Sequence, residues 1–134
     1  MDDDSEDSDP SEATDATILV VEDEEMVRRF VASVLQEKGY EVLTAQHPQE
    51  AMEMCREYPD SIELLLTDIV MPGGSGRELA FEFLASRPQT RVLYISGYSD
   101  QRSPTAPDST SSFLGKTFSA KELTQKVGEI LGND

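Results

Sequence analysis

The sequence predicts an α/β domain, a doubly wound parallel sheet of five strands with helices on both faces. Three observations carry that prediction. Short apolar runs alternate along the chain with segments of helical periodicity. The runs are nearly continuous and rich in branched side chains, as in strands buried on both faces. The 134 residues fit one such domain and leave little room for a second.

The elements follow in order. Ile18-Leu19-Val20-Val21 is the first strand and runs straight into acids. Val27, Phe30, Val31, Val34 and Leu35 fall at helical spacing on one face, and Gly39 ends that helix. Glu41 to Ala45 is a second strand. Pro48 opens a helix carrying Ala51, Met52, Cys55 and Tyr58 ahead of Pro59. Ile62 to Thr67 is the third strand and delivers Asp68 at its C-terminal end. A turn with Pro72, Gly73, Gly74 and Gly76 leads to a helix presenting Leu79, Ala80, Phe83 and Leu84. Arg91 to Ser96 is the fourth strand and Ser112 to Gly115 a short fifth; Ser119 caps a last helix built on Leu123, Val127, Ile130 and Leu131.

Residues 1–16 differ from the rest. They are Asp, Ser, Glu, Thr and Pro with almost nothing to bury, so they read as a disordered acidic tail or linker ahead of a domain over 17–134. The chain carries 27 acids against 11 bases, a net charge of −16. That balance argues against a surface that grips nucleic acid or anionic lipid, which needs clustered Lys and Arg. The single Cys55 excludes an internal disulfide framework and a Cys-rich zinc site. The single His47 argues against a His-based metal cluster or a Ser-His-Asp triad; it reads as a loop or capping residue before Pro48. No apolar run approaches the roughly 20 residues that span a bilayer, and the acidic start is the wrong chemistry for a signal peptide. The expected compartment is the reduced cytoplasm.

Right-handed crossovers place all strand C-terminal ends on one edge of such a sheet, and ligands bind there, where the strand order reverses. That edge collects Glu22, Asp23 and Glu24 after the first strand, Asp68 after the third, Ser96 after the fourth and Lys116 after the fifth. Carboxylates converging in one crevice repel each other unless a cation sits among them, and Mg²⁺ suits an all-oxygen set, with Mn²⁺ a substitute. A lysine ammonium and a serine hydroxyl suit a phosphoryl group. A carboxylate held beside them can act as a nucleophile and form an acyl phosphate. Each position also has a plainer reading: Asp23 or Glu24 as a helix cap, Asp68 and Ser96 as turn residues, Lys116 as a solvated lysine. Their common address at the strand ends favours function.

The runs Ile18 to Glu24, Leu64 to Gly73, Val92 to Tyr98 and Phe113 to Phe118 resemble the receiver domain of two-component response regulators, over about residues 17–132. The Asp68 and Ser96 segments resemble in particular the receivers of hybrid sensor histidine kinases. The resemblance implies a flavodoxin-like fold of strand order 2-1-3-4-5. It implies a phosphorelay role in which Asp68 accepts a phosphoryl group from the phosphohistidine of a histidine kinase or histidine phosphotransfer domain. It also implies Mg²⁺ bound by Asp23, Asp68 and the Val70 backbone carbonyl with help from Glu22, Ser96 and Lys116 contacting the acyl phosphate, and Phe113 as the switch aromatic. Partners of this family dock on the first helix, whose outer face is expected to carry Arg28, Arg29 and Gln36.

Three departures matter. Glu22 stands where Asp is commoner. Thr117 replaces the proline that usually follows the lysine in a cis bond. A non-proline cis bond costs about 2.5–4 kcal/mol, so the Lys116–Thr117 bond is expected to be trans with a shifted loop, or a strained cis bond. Two prolines and a run of Ser and Thr in Ser99 to Ser111 leave the family's fourth helix short, frayed or absent. Val70, two residues past Asp68, has no side-chain donor to orient water, which implies slow self-hydrolysis. Two other readings stay open: a phosphorylation-independent binding module on a degenerate receiver, and an aspartate-nucleophile phosphohydrolase. The second fits poorly, since Glu22-Asp23 and Asp68 lack that spacing and the chain has no room for a cap domain. Gly73-Gly74-Ser75-Gly76 lacks the Gly-Lys-Ser/Thr of a nucleotide loop.

Overall fold

A computed structural model describes residues 16–72, 74–96, 111–115 and 118–132. Residues 1–15 of the acidic tail expected over 1–16, residues 99–110 of the fourth-helix segment expected over 99–111, Lys116 and the Lys116–Thr117 bond lie outside the described residues. The elements are β1 (Thr17–Val21), α1 (Glu25–Glu37), β2 (Glu41–Ala45), α2 (Pro48–Glu57), β3 (Leu64–Asp68), β4 (Val70–Met71), β5 (Gly74–Ser75), α3 (Gly76–Ser86), β6 (Arg91–Ser96), β7 (Ser111–Gly115) and α4 (Ala120–Leu131). Five strands form one parallel sheet in the order β2-β1-β3-β6-β7, the flavodoxin-like arrangement. β4 and β5 form a separate antiparallel hairpin of two residues a side.

The continuous apolar strands divide their side chains between two cores, as the two-residue period of a strand requires. Ile18, Val20, Leu64, Leu66, Leu93 and Ile95 face one way and pack with Val31 and Leu35 of α1 and Leu123 and Val127 of α4. Leu19, Val21, Leu65, Val92 and Tyr94 face the other way, against Ala51 and Cys55 of α2 and Leu79, Ala80 and Phe83 of α3. Cys55 is a free, buried core residue.

Local chemistry sets the helix ends. Gly39 takes φ +98° after α1, a conformation that costs glycine little, and lets the Tyr40 amide donate to the Leu35 carbonyl at 3.2 Å. His47 is the exposed cap of α2, its Nδ1 accepting from the Glu50 amide at 3.3 Å. Ser119 and Glu122 form a reciprocal capping box on α4.

Four details differ from the sequence expectation. β3 starts two residues later and ends on Asp68, so that residue closes the strand. The glycine turn is the β4–β5 hairpin. Phe30 sits at the margin of the apolar face of α1, 43% exposed, with its ring stacked 6.0 Å from Phe118. Arg28 is half-buried on α1 and turns back to donate to the Glu22 carbonyl at 2.9 Å.

Arg87, just past α3, ties the end of α2 and the loop after it to the end of α3. Its Nε and Nη2 donate to the Cys55 carbonyl at 3.0 and 2.9 Å, Nη2 also reaches the Tyr58 carbonyl at 2.7 Å, and Nη1 donates to the Asp60 carbonyl at 2.8 Å. These carbonyls include ones a helix C-terminus leaves unsatisfied. Arg87→Ala is expected to lower unfolding stability by about 2–3 kcal/mol in urea denaturation, with Arg87→Lys recovering less than half, because an ammonium cannot fork between carbonyls. A loss below about 0.5 kcal/mol would show that water replaces the clamp.

Candidate functional site

The sheet order makes β1 and β3 neighbours while the chain leaves them toward opposite edges, which opens a crevice at their C-terminal ends. The register pairs Val21 with Thr67. The next residue on each strand, Glu22 and Asp68, therefore meets the other at the sheet edge, and Asp23 follows. One carboxylate oxygen from each of Glu22, Asp23 and Asp68 lies within 4.8 Å of the others. Glu22 is fully buried and Asp68 is 3% exposed, whereas Asp23 is open to solvent.

The backbone around these acids is held tightly. The Glu22 amide donates to the Ala45 carbonyl at 3.1 Å, and its Oε2 accepts from the Glu24 amide at 3.0 Å. Glu24 is the N-cap residue of α1, and its side chain makes no capping bond there. Behind Asp68, the Thr67 hydroxyl donates to the Asp68 carbonyl at 2.9 Å and the Ile69 amide to the Ile95 carbonyl at 3.3 Å. The Gly76 amide closes the loop by donating to the Ile69 carbonyl at 2.7 Å. Gly76 itself packs on the Asp68 backbone: a Cβ there would collide with the Asp68 carbonyl oxygen and lie 3.1 Å from the Ile69 Cα.

This donor set fits a hard divalent cation. All three groups supply oxygen, two of them are buried, and their mutual repulsion is what a cation would relieve. A groove of about 560 Å³, lined by Asp23, Gln46, His47, Pro48, Gln49 and Pro72, opens beside Asp23, the solvent-exposed acid of the three.

Of the other expected site residues, Ser96 ends β6 and pairs in register with Gly115. Asp68 pairs with Ile95, which places Ser96 one residue beyond Asp68 along the neighbouring strand. Phe113 lies in β7, in register with Tyr94. Val70, in β4, is 62% exposed, and Lys116 lies outside the described residues. The sequence reading missed Gly76, whose role depends on a contact eight residues back. The signal available was a glycine opening a helix directly after the Ser75 cap.

The Response regulator receiver domain model matches residues 18–128. The chain is 36% identical over 118 residues to the sensor kinase CckA of Brucella abortus, covering 87% of this chain and 12% of that protein. It is 34% identical to the response regulator receiver protein CpdR of the same organism, covering 85% of this chain and 95% of CpdR. The chain thus spans about an eighth of the first relative and nearly all of the second. Among solved structures, the receiver domain of the hybrid histidine kinase CckA superposes with a TM-score of 0.76 at 34% identity, covering 87% of this chain and 99% of that one. The response regulator TrrA of Thermotoga maritima, in complex with Mg²⁺-BeF, superposes with a TM-score of 0.74 at 33% identity, covering 86% and 98%.

Proposed function

The chain belongs to the response regulator receiver domain family, and from that premise we propose that it is a phosphoacceptor switch: Asp68 takes a phosphoryl group from the phosphohistidine of a histidine kinase or phosphotransfer domain. The observation that carries this reading is the convergence of Glu22, Asp23 and Asp68 within 4.8 Å at the crevice between β1 and β3.

A carboxylate oxygen of Asp68 attacks phosphorus; the O–P bond forms as the N–P bond of the donor breaks, and the imidazole leaves with the electron pair. Asp23, Asp68 and the Val70 carbonyl, with Glu22 assisting, would hold Mg²⁺. When bound, the ion supplies positive charge that offsets the carboxylates and polarises the phosphoryl oxygens. That the similar TrrA structure is a Mg²⁺-BeF complex supports Mg²⁺ as the ion. Lys116 and Ser96 contact the acyl phosphate, and Phe113 turns inward as Ser96 moves toward the new charge. Val70 presents no donor to an attacking water, so Val70→Asn is expected to shorten the acyl-phosphate half-life about threefold or more. An unchanged half-life would remove Val70 from the account of lifetime.

The partner docks on α1. Met26 is 82% exposed there, Phe30 is 43% exposed, and the Phe118 ring extends the apolar patch. In transfer from a histidine-phosphorylated phosphotransfer domain, Phe30→Asp is expected to slow the reaction about tenfold or more, by placing a charge in a desolvated contact. Uptake from a small acyl phosphate, which needs no docking, should stay unchanged. Equal slowing with both donors would place the defect in the site instead of the docking face.

A further inference from the structure

Arg77 is the second residue of α3, at the end of the helix whose dipole disfavours a cation. Helix electrostatics therefore does not explain it. Its guanidinium carbon lies 5.3 Å from the centroid of the Tyr94 ring, with Nη2 wholly buried, and Tyr94 is itself only 5% exposed. A cation over a desolvated ring is a firm contact.

The position of that ring in the sheet gives the contact its consequence. Tyr94 pairs in register with Thr67 of β3 on one side and with Phe113 of β7 on the other. Thr67 precedes Asp68, and Ser96 lies two residues beyond Tyr94 on the same strand. The start of α3 is meanwhile seated on the Asp68 backbone through Gly76. Gly76 and Arg77 thus tie the phosphoacceptor loop to β6 from a single turn of helix.

We propose that Arg77 is a positioning residue that acts through Tyr94 to hold β6, and with it Ser96, in the unphosphorylated position. The inference rests on the phosphoacceptor reading of Asp68. In this proposal the ring held under the guanidinium, two residues before Ser96 on β6, resists a displacement of the strand end toward a phosphoryl group. That contact therefore biases the equilibrium toward the unphosphorylated form, and loosening it favours any ligand that selects the other form.

The test is calorimetric titration of the intact chain with beryllium fluoride, a phosphoryl mimic, at saturating Mg²⁺. Arg77→Gln is expected to tighten binding about three- to tenfold. Arg77→Lys and Tyr94→Phe, which keep a cation over a ring, should stay within about twofold of the native chain. Adding Tyr94→Leu to Arg77→Gln should bring no further tightening, since both remove the same contact. A merely structural arginine would weaken or leave unchanged the affinity on removal, so equal or weaker binding by Arg77→Gln overturns the proposal. Should the native chain not bind, or bind equally well as Asp68→Asn, the phosphoacceptor reading falls and takes this inference with it.

Discussion

Asp68→Asn is expected to abolish phosphoryl uptake and, in the absence of divalent metal, to make the domain more stable by about 1–2 kcal/mol. The two effects have one cause. Two like charges this close repel by about 3–4 kcal/mol at the effective dielectric of a protein, and Glu22 and Asp68 are both buried. Asp23 is solvated, so its share is screened and the net gain is smaller. The amide keeps the shape of the side chain but removes one charge and the nucleophilic oxygen. Mg²⁺ should reverse the order of stability, because ligand binding stabilises only the form that binds it well. Thermal unfolding of both chains with EDTA and with Mg²⁺ reads this directly. A variant less stable than the native chain under both conditions would mean that Asp68 is held by partners strong enough to outweigh its neighbours' repulsion.

The second large effect is at Gly76. Gly76→Ala is expected to cost about 3 kcal/mol or more and to slow phosphoryl uptake about tenfold to a hundredfold. The added methyl group meets the Asp68 carbonyl oxygen and the Ile69 Cα, both backbone, so no side-chain rotation relieves the overlap. Either α3 shifts away from the sheet or the Asp68 loop moves, and the second displaces the nucleophile. Urea denaturation gives the first number and the initial rate with a small acyl phosphate gives the second. Full uptake in a destabilised variant would show that the helix yields while the loop keeps its place.

Much of this was legible in the chain. Continuous runs such as Ile18 to Val21 and Val92 to Ile95 signalled strands buried on both faces, and the two cores use alternate residues of those runs. The acids were legible because topology alone assigns Glu22, Asp23 and Asp68 to one edge. Ser119 and His47 were legible as caps because capping is local chemistry. What was not legible depends on contacts distant in sequence. The β4–β5 hairpin and the seat of Gly76 exist only once α3 is packed against β3. The turn of Arg28 depends on the Glu22 carbonyl six residues back, and the Phe30–Phe118 stack joins residues far apart in the chain. The onset of β3 was misplaced because Ile62 is buried like a strand residue while lying two positions before the ladder begins.

The most direct measurement is intact mass after incubation with Mg²⁺ and a small acyl-phosphate donor, run beside Asp68→Asn and beside the native chain in EDTA. The account predicts one added phosphoryl group on the native chain with Mg²⁺ and none in either control. No addition under conditions that modify other receiver domains, or addition that survives in Asp68→Asn, would contradict it.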